Sequence, residues 1–275
     1  MFSLNNKKLG FLFFVMISLF VSYALPFKFI AFSDTHIGHR GEEGKNVEVE
    51  KLKLLDPMIK EMQNDENIKL ALIVGDLVDH GWADPRFSCC GCCNFINEWQ
   101  GFQQKWIIPL ISQIGTSNIY LCAGNHEKIL DYRKIYCKSA YKKVKKSTLG
   151  MYKSSNDINY YFEREGVFFI CCGIYPDFDI CLWLDELLLW IGQRPVIIFF
   201  HYNIKGKYSE FWTDNEKQTF YDLIQKYNIK AIINGHIHKS SAYLWNNKIQ
   251  VVNVGGYNFT VFDYSNGQLT WQKKS

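Results

Sequence analysis

The chain has 275 residues, 48% of them hydrophobic and 21% charged, which is enough to bury a sizeable core as one domain and too apolar for a disordered chain. Its formal net charge is +4, and two of those charges, Lys7 and Lys8, lie in a leading segment (residues 1–24) that carries no acid. The +2 left on the rest gives no electrostatic case for nucleic acid or an anionic membrane as partner.

Residues 1–24 have the three parts of a secretory signal peptide: the charge of Lys7 and Lys8, an apolar stretch over 9–20, and Ser22, Tyr23 and Ala24 before a cleavage point. Cleavage after Ala24 leaves one domain, residues 25–275, in a secreted or lumenal compartment. The rival is a retained signal anchor, since the apolar run approaches a spanning length if residues 21–25 are counted. Nine cysteines suit an oxidising compartment. Cys89, Cys90, Cys92 and Cys93 crowd around Gly91 and read as a disulfide staple of a surface loop, with Cys137 or Cys181 as a further partner, rather than as a zinc or redox site. Cys122 reads as a small buried residue, and Cys171 and Cys172 occupy opposite faces of one strand, so at least one is core.

In chain order, a strand over 27–32 leads into Asp34 and His36, then a glycine-rich acidic loop over 38–46. A helix over 47–62 follows, restarted or kinked at Pro57. The stretch 71–81 opens as a short apolar run rich in β-branched residues, which suits a buried strand, and breaks into Gly75, Asp76, Asp79 and His80. An insertion over 82–93 carries the cysteine cluster, and a helix over 94–108 ends or kinks at Pro109. The strand over 119–123 delivers Gly124, Asn125, His126 and Glu127. Lys138, Lys142, Lys143, Lys145 and Lys146 read as a solvated helix face rather than a nucleic-acid patch. Residues 159–162 and 167–172 flank a turn and form a hairpin; 182–190 reads as an amphipathic or buried helix, taken as core. A strand over 196–200 ends at His201, a helix covers 215–227, and a strand over 231–233 ends in Asn234, Gly235, His236, Ile237 and His238. Short strands close the chain over 241–245, 249–254, 259–263 and 269–272, with turns at Asn246-Asn247 and Ser265-Asn266-Gly267. Asn258-Phe259-Thr260 is a glycosylation sequon.

Of seven histidines, five (His36, His126, His201, His236 and His238) stand where an apolar strand ends, and His39 and His80 follow two of them. An α/β sheet carries its chemistry on the loops at such strand ends. Asp, Asn and His donors without cysteine suit Zn, Fe or Mn. The donors outnumber what one ion needs, which implies two metal ions sharing a bridging ligand; ions about 3.5–4 Å apart clamp a phosphate, activate a water and stabilise the leaving oxygen.

Asp34-Thr35-His36, Gly75-Asp76-Leu77-Val78-Asp79, Gly124-Asn125-His126-Glu127, His201 and Gly235-His236-Ile237-His238 together resemble the five ordered motifs of the calcineurin-like metallophosphoesterases. The resemblance implies a four-layer α/β/β/α sandwich of two mixed β-sheets flanked by helices. It implies that Asp34, His36, Asp76 and His238 hold one metal ion and that Asp76, Asn125, His201 and His236 hold the other, Asp76 bridging. It makes His126 the proton donor to the leaving oxygen and Asp79 the residue that orients it. His80 stands where the protein-phosphatase branch has a phosphate-gripping arginine, so it joins Asn125 and His126 as a substrate-facing residue while phosphoprotein specificity is not implied. Purple acid phosphatases place a tyrosine where Asp79 stands, which argues against an iron–tyrosinate centre. Tyr202-Asn203 replaces the proline that follows His201 in many relatives.

The reading is a dinuclear metallophosphoesterase acting on a phosphorylated small molecule or other phosphoester, phosphomonoesters first. Its expected step is an in-line attack by a hydroxide bridging the two metal ions, with His126 as general acid. The alternatives are a phosphodiesterase (cyclic nucleotide, nucleic acid or phospholipid headgroup) and a catalytically silent binding module on the same fold.

Overall fold

The computed structural model describes residues 25–38, 47–79, 95–127, 152–153, 159–205 and 211–275. In chain order these hold β1 (Phe27–Phe32), α1 (Val47–Leu52), α2 (Leu55–Asn64), β2 (Ile68–Val74), α3 (Phe95–Phe102), a π-helical turn (Gln103–Ile107), α4 (Ile108–Ile114), β3 (Ile119–Cys122), β4 (Tyr152–Lys153), β5 (Tyr160–Arg164) and β6 (Val167–Cys171). There follow α5 (Phe178–Ile191), β7 (Val196–Phe199), α6 (Asp214–Ile224), β8 (Ile229–Asn234), β9 (Ser240–Trp245), β10 (Ile249–Val254), β11 (Phe259–Ser265) and β12 (Gln268–Lys274). The predicted segment 1–24, His39, His80, the Cys89–Cys93 cluster, Cys137 and the Lys138–Lys146 run lie outside the described residues. No described helix is long and apolar enough to cross a membrane.

The strands form two mixed sheets, one of five strands in the order β12-β11-β1-β2-β3 and one of seven in the order β4-β5-β6-β7-β8-β10-β9. Side chains of a strand alternate between faces, and in the central strands both faces are covered. Phe27, Phe29 and Ala31 of β1 join Leu70, Leu72, Phe169, Ile197 and Val252 in the layer between the sheets. Ile30 and Phe32 face the other way, onto Met58, Trp106 and Leu110 of the helical layer. On the outer face of the larger sheet, Phe168, Ile170 and Ile198 pack under α5 and α6 through Leu184, Leu188 and Phe220. The result is the expected α/β/β/α arrangement, and it directs the carboxyl ends of parallel β1, β2 and β3 and of parallel β7 and β8 to one rim.

Several elements depart from the sequence reading for local reasons. The helix expected over 47–62 is two, broken at Lys53 and Leu54, and Pro57 falls in the first turn of α2 where its missing N–H has no partner to lose. The helix expected to end or kink at Pro109 does not end there but runs on to Ile114, with a π turn just before the proline that widens the helix where its ring would meet a carbonyl. The second strand starts at Ile68, ahead of the expected apolar run at Ala71, and ends at Val74, where the run was expected to break into the site loop. The 182–190 segment is not wholly core: α5 buries Leu184, Leu187 and Leu188 but exposes Leu182, Leu189 and Trp190. Glu165 and Gly166, with φ of 50° and 80°, make the tight turn of the expected β5–β6 hairpin. Cys171 lies between the sheets and Cys172 under the outer helices, so both are core. Cys181 is a buried free thiol, and the cysteine loop it was expected to join lies outside the described residues.

Candidate metal centre

Each expected ligand sits just past a strand, and the backbone there is unusual. Asp34, His36, Asp76, His236 and His238 all have positive φ, between 42° and 75°, a conformation that L-residues avoid and that clusters at functional sites. The other non-glycine residues of this kind among those described, Glu165, Asn246, Asn247 and Asn266, are hairpin turns. The loops after β1 and β2 hold this geometry by continuing their pairing: Asp34 N–H donates to Gly75 O (3.0 Å), His36 N–H to Asp76 O (3.0 Å) and Asp79 N–H to Ile37 O (3.0 Å). Thr35 Oγ1 adds a bond to Leu77 O at 2.8 Å. Gly75 and Gly124 are required by close approach, since a Cβ on Gly75 would collide with the His201 ring and one on Gly124 with Asp76.

These loops bring the donors together. Asp34, His36 and His238 form one group, Asp76, His201 and His236 a second, and His36, Asp76 and His126 a third, with the donor atoms of each within 4.8 Å of one another. His36 Nε2 and His238 Nε2 face each other at 3.0 Å. His201 Nε2 lies 3.0 Å from Asp76 Oδ2 and 3.1 Å from Asn125 Oδ1, so Asn125 joins the second group. His201 Nδ1–H donates to Val74 O (2.9 Å), which leaves Nε2 to face the centre. Asp34 aims both oxygens at His236 N–H (3.1 and 3.2 Å), and Asp76 Oδ1 accepts from His126 N–H (3.0 Å). Asp79 takes a wider part than expected: its Oδ1 is 3.1 Å from His36 Nδ1 and 3.4 Å from His126 Nδ1, while its main-chain oxygen is 2.6 Å from that same His126 nitrogen.

Charge at the centre follows from burial and pairing. Burial opposes ionisation of Asp76, yet His201, His36 and His126 around it hold its carboxyl well below the usual range. Burial also disfavours the His201 cation, but the Asp76 carboxylate outweighs it and lifts His201 to about 9. His36 is raised in the same way, against burial, by its bond to Asp79 and by Asp76 and Asp34. Burial drives His238 down to about 4, helped by the nearby cations His36 and Lys51. Such a set, buried carboxylates with imidazole nitrogens converging on them, fits divalent cations, which would displace the proton on His201.

The sequence reading passed over Lys51. This lysine is buried, and its three N–H donors meet Ser33 O (3.0 Å), Gly255 O (2.9 Å) and Gly256 O (2.9 Å). It pins the loop bearing Asp34 to the loop after β10, where Gly255 lies against Asp34 and the His238 backbone. Burial lowers its pKa to about 8, against the attraction of Asp34 and Asp76, so it stays an ammonium at neutral pH. One sequence signal existed: Lys51 is in helical register with Leu54, Met58 and Met62, a stripe that is otherwise buried and apolar. Lys51→Met orphans three carbonyls and should lower the unfolding free energy of the metal-free protein by roughly 3–5 kcal/mol, read by denaturant titration.

Two mixed sheets with paired Asp/His/Asn donor groups on their common rim define a protein of the dinuclear metal-centre class. The chain belongs to the calcineurin-like phosphoesterase family, whose model matches residues 27–240. It is 28% identical over 224 residues to Purple acid phosphatase 23 of Arabidopsis thaliana, an alignment covering 73% of this chain and 44% of that protein, so the chain spans less than half the length of that relative. Among solved structures it is similar to a dimetal phosphatase from Danio rerio (12% identity, TM-score 0.67, 90% of this chain and 96% of that one). It is also similar to a purple acid phosphatase from yellow lupin, Lupinus luteus (13% identity, TM-score 0.59, 92% and 52%). A third likeness is to the anchor protein of the inner membrane complex of Plasmodium (11% identity, TM-score 0.56, 90% and 84%). At these identities the three structures speak to the fold alone.

Proposed function

We propose that the domain is a hydrolase of phosphate esters, with phosphomonoesters as its preferred class. The observation that carries this reading is Asp76, buried and common to two donor groups, one with His36 and His126 and the other with His201 and His236. Asp34, His36 and His238 would hold one ion; Asp76, Asn125, His201 and His236 would hold the other, with Asp76 reaching both. When bound, two such ions supply charge for the phosphoryl oxygens and lower the pKa of a water.

The remaining work falls to the chain's own groups. Asn125 Oδ1 points to His201, which leaves its amide N–H groups to donate to a phosphoryl oxygen. His126 Nδ1–H is committed to Asp79 O, so its Nε2 is the nitrogen able to hand a proton to the leaving oxygen. After that transfer the ring is left as the Nδ1–H tautomer that the Asp79 carbonyl already binds. The monoester preference draws on the sequence similarity to Purple acid phosphatase 23, a phosphatase by name.

The test is metal-stripped protein reloaded with Zn, Mn or Fe and assayed on p-nitrophenyl phosphate and on bis(p-nitrophenyl) phosphate. Faster turnover of the monoester is expected. Faster turnover of the diester would reassign the substrate class, and two bound ions without turnover of either would make the domain a binding module.

A further inference from the structure

We infer that Tyr202 is a positioning residue for His236, fixing the plane of that imidazole so that the second metal pocket is preformed; the inference rests on the dinuclear reading above. The Tyr202 ring lies 4.6 Å from the His236 ring at 35°. Behind it, Tyr175 stacks on Tyr202 at 5.3 Å and 15°, and Trp212 extends the stack at 6.0 Å from Tyr175. Tyr202 and Trp212 are buried, 4% and 1% exposed, so the stack is backed by core. Its placement comes from the backbone. Past the end of β7, His201 N–H donates to Gly173 O (3.0 Å) and Tyr202 N–H to Ile174 O (2.8 Å), which sets Tyr202 beside Tyr175.

The torsion that sets the plane of a histidine ring is broad and roughly two-fold, so its neighbours must choose it. For His236 those neighbours include His201, edge-on at 5.1 Å and 73°, and Tyr202. His201 is itself a ligand and is tied to Val74 O. Tyr202 is a packed surface that needs no metal to be in place. The aromatic residue that follows His201 thus has a use: it turns that loop into one wall of the pocket. Residues that orient a metal-binding histidine typically account for about 10–100-fold in affinity.

The experiment measures metal affinity, not turnover, by titrating Zn²⁺ into metal-free protein against a competing chelator. Tyr202→Leu keeps an apolar side chain and removes the ring; Tyr202→Phe keeps the ring. In a His238→Ala background, which disables the first pocket, Tyr202→Leu should weaken Zn²⁺ binding roughly tenfold and Tyr202→Phe less than about threefold. In a His236→Ala background neither change should matter. Equal affinity of Tyr202→Leu and parent in the first background overturns the inference, as does an equal loss in both backgrounds. If Tyr202→Leu does not fold, judged by its metal-free melting curve, Tyr175→Leu takes its place: a loss confined to the first background supports the role, and no loss overturns it. Failure of the unmutated chain to bind two ions would instead remove the dinuclear reading itself.

Discussion

Asp76→Asn should strip metal and activity together, with ion affinity falling by more than the ~10–100-fold typical of residues that merely orient ligands. The side chain is buried, its Oδ2 is 3.0 Å from His201 Nε2 and 3.7 Å from His36 Nε2, and it belongs to two donor groups. An amide of the same shape keeps the hydrogen bond from His126 N–H but removes the negative charge that two nearby cations need. Elemental analysis after gel filtration should show less than the two ions expected of the parent. The change should also be visible without metal. His201 is lifted to about 9 chiefly by Asp76 acting against burial, so this pair stabilises the metal-free fold fully below the ordinary imidazole value of 6.5, and that contribution is lost as pH rises through about 9. With Asp76→Asn only Asp34 and the bond to the Val74 carbonyl are left to oppose burial, so the His201 pKa should drop and most of that part of the pH dependence should disappear. Imidazole NMR titration of the metal-free protein measures it. A variant that kept both ions would show that Asp76 is not the shared ligand.

The strand ends were readable because their signal is local. An apolar β-branched run that breaks into Asp, Asn or His marks both the strand and the loop that carries chemistry, and Asp34, Asp76, Asn125, His201, His236 and His238 do converge. Helix limits were less readable, because a proline is judged by its turn: Pro57 in a first turn and Pro109 after a π turn are both tolerated. What the chain order hides is the support behind the ligands. Lys51 reaches Gly255 across 204 positions, and Asp79 reaches His36 across 43. Such contacts are set by sheet order, with β11 beside β1 and β10 beside β8, which no local pattern encodes. The same holds for Tyr202, whose partner His236 is delivered by the next strand of the sheet.

His126→Gln should retain both ions and still lose roughly 10²–10⁴-fold in turnover on an alkyl phosphate, the loss expected for a missing general acid. The loss should shrink on p-nitrophenyl phosphate, whose leaving group departs without a proton. The position of His126 makes metal content the deciding control, since it shares a possible donor group with His36 and Asp76. Loss of an ion in His126→Gln would make it a ligand, and an equal defect on both leaving groups would end its assignment as acid. Asp79→Asn is expected to behave differently from His126→Gln. Its carboxylate is nearer to His36 Nδ1 (3.1 Å) than to His126 Nδ1 (3.4 Å), while His126 keeps the Asp79 main-chain oxygen, which the substitution leaves in place. Orientation of the proton donor should therefore largely survive, and the larger loss should fall on His36. The first pocket should bind its ion about 10–100-fold more weakly, and turnover should recover when metal is raised, on both leaving groups alike. An Asp79→Asn defect that excess metal did not relieve, and that tracked the leaving group as His126→Gln does, would return Asp79 to the single role of holding the acid.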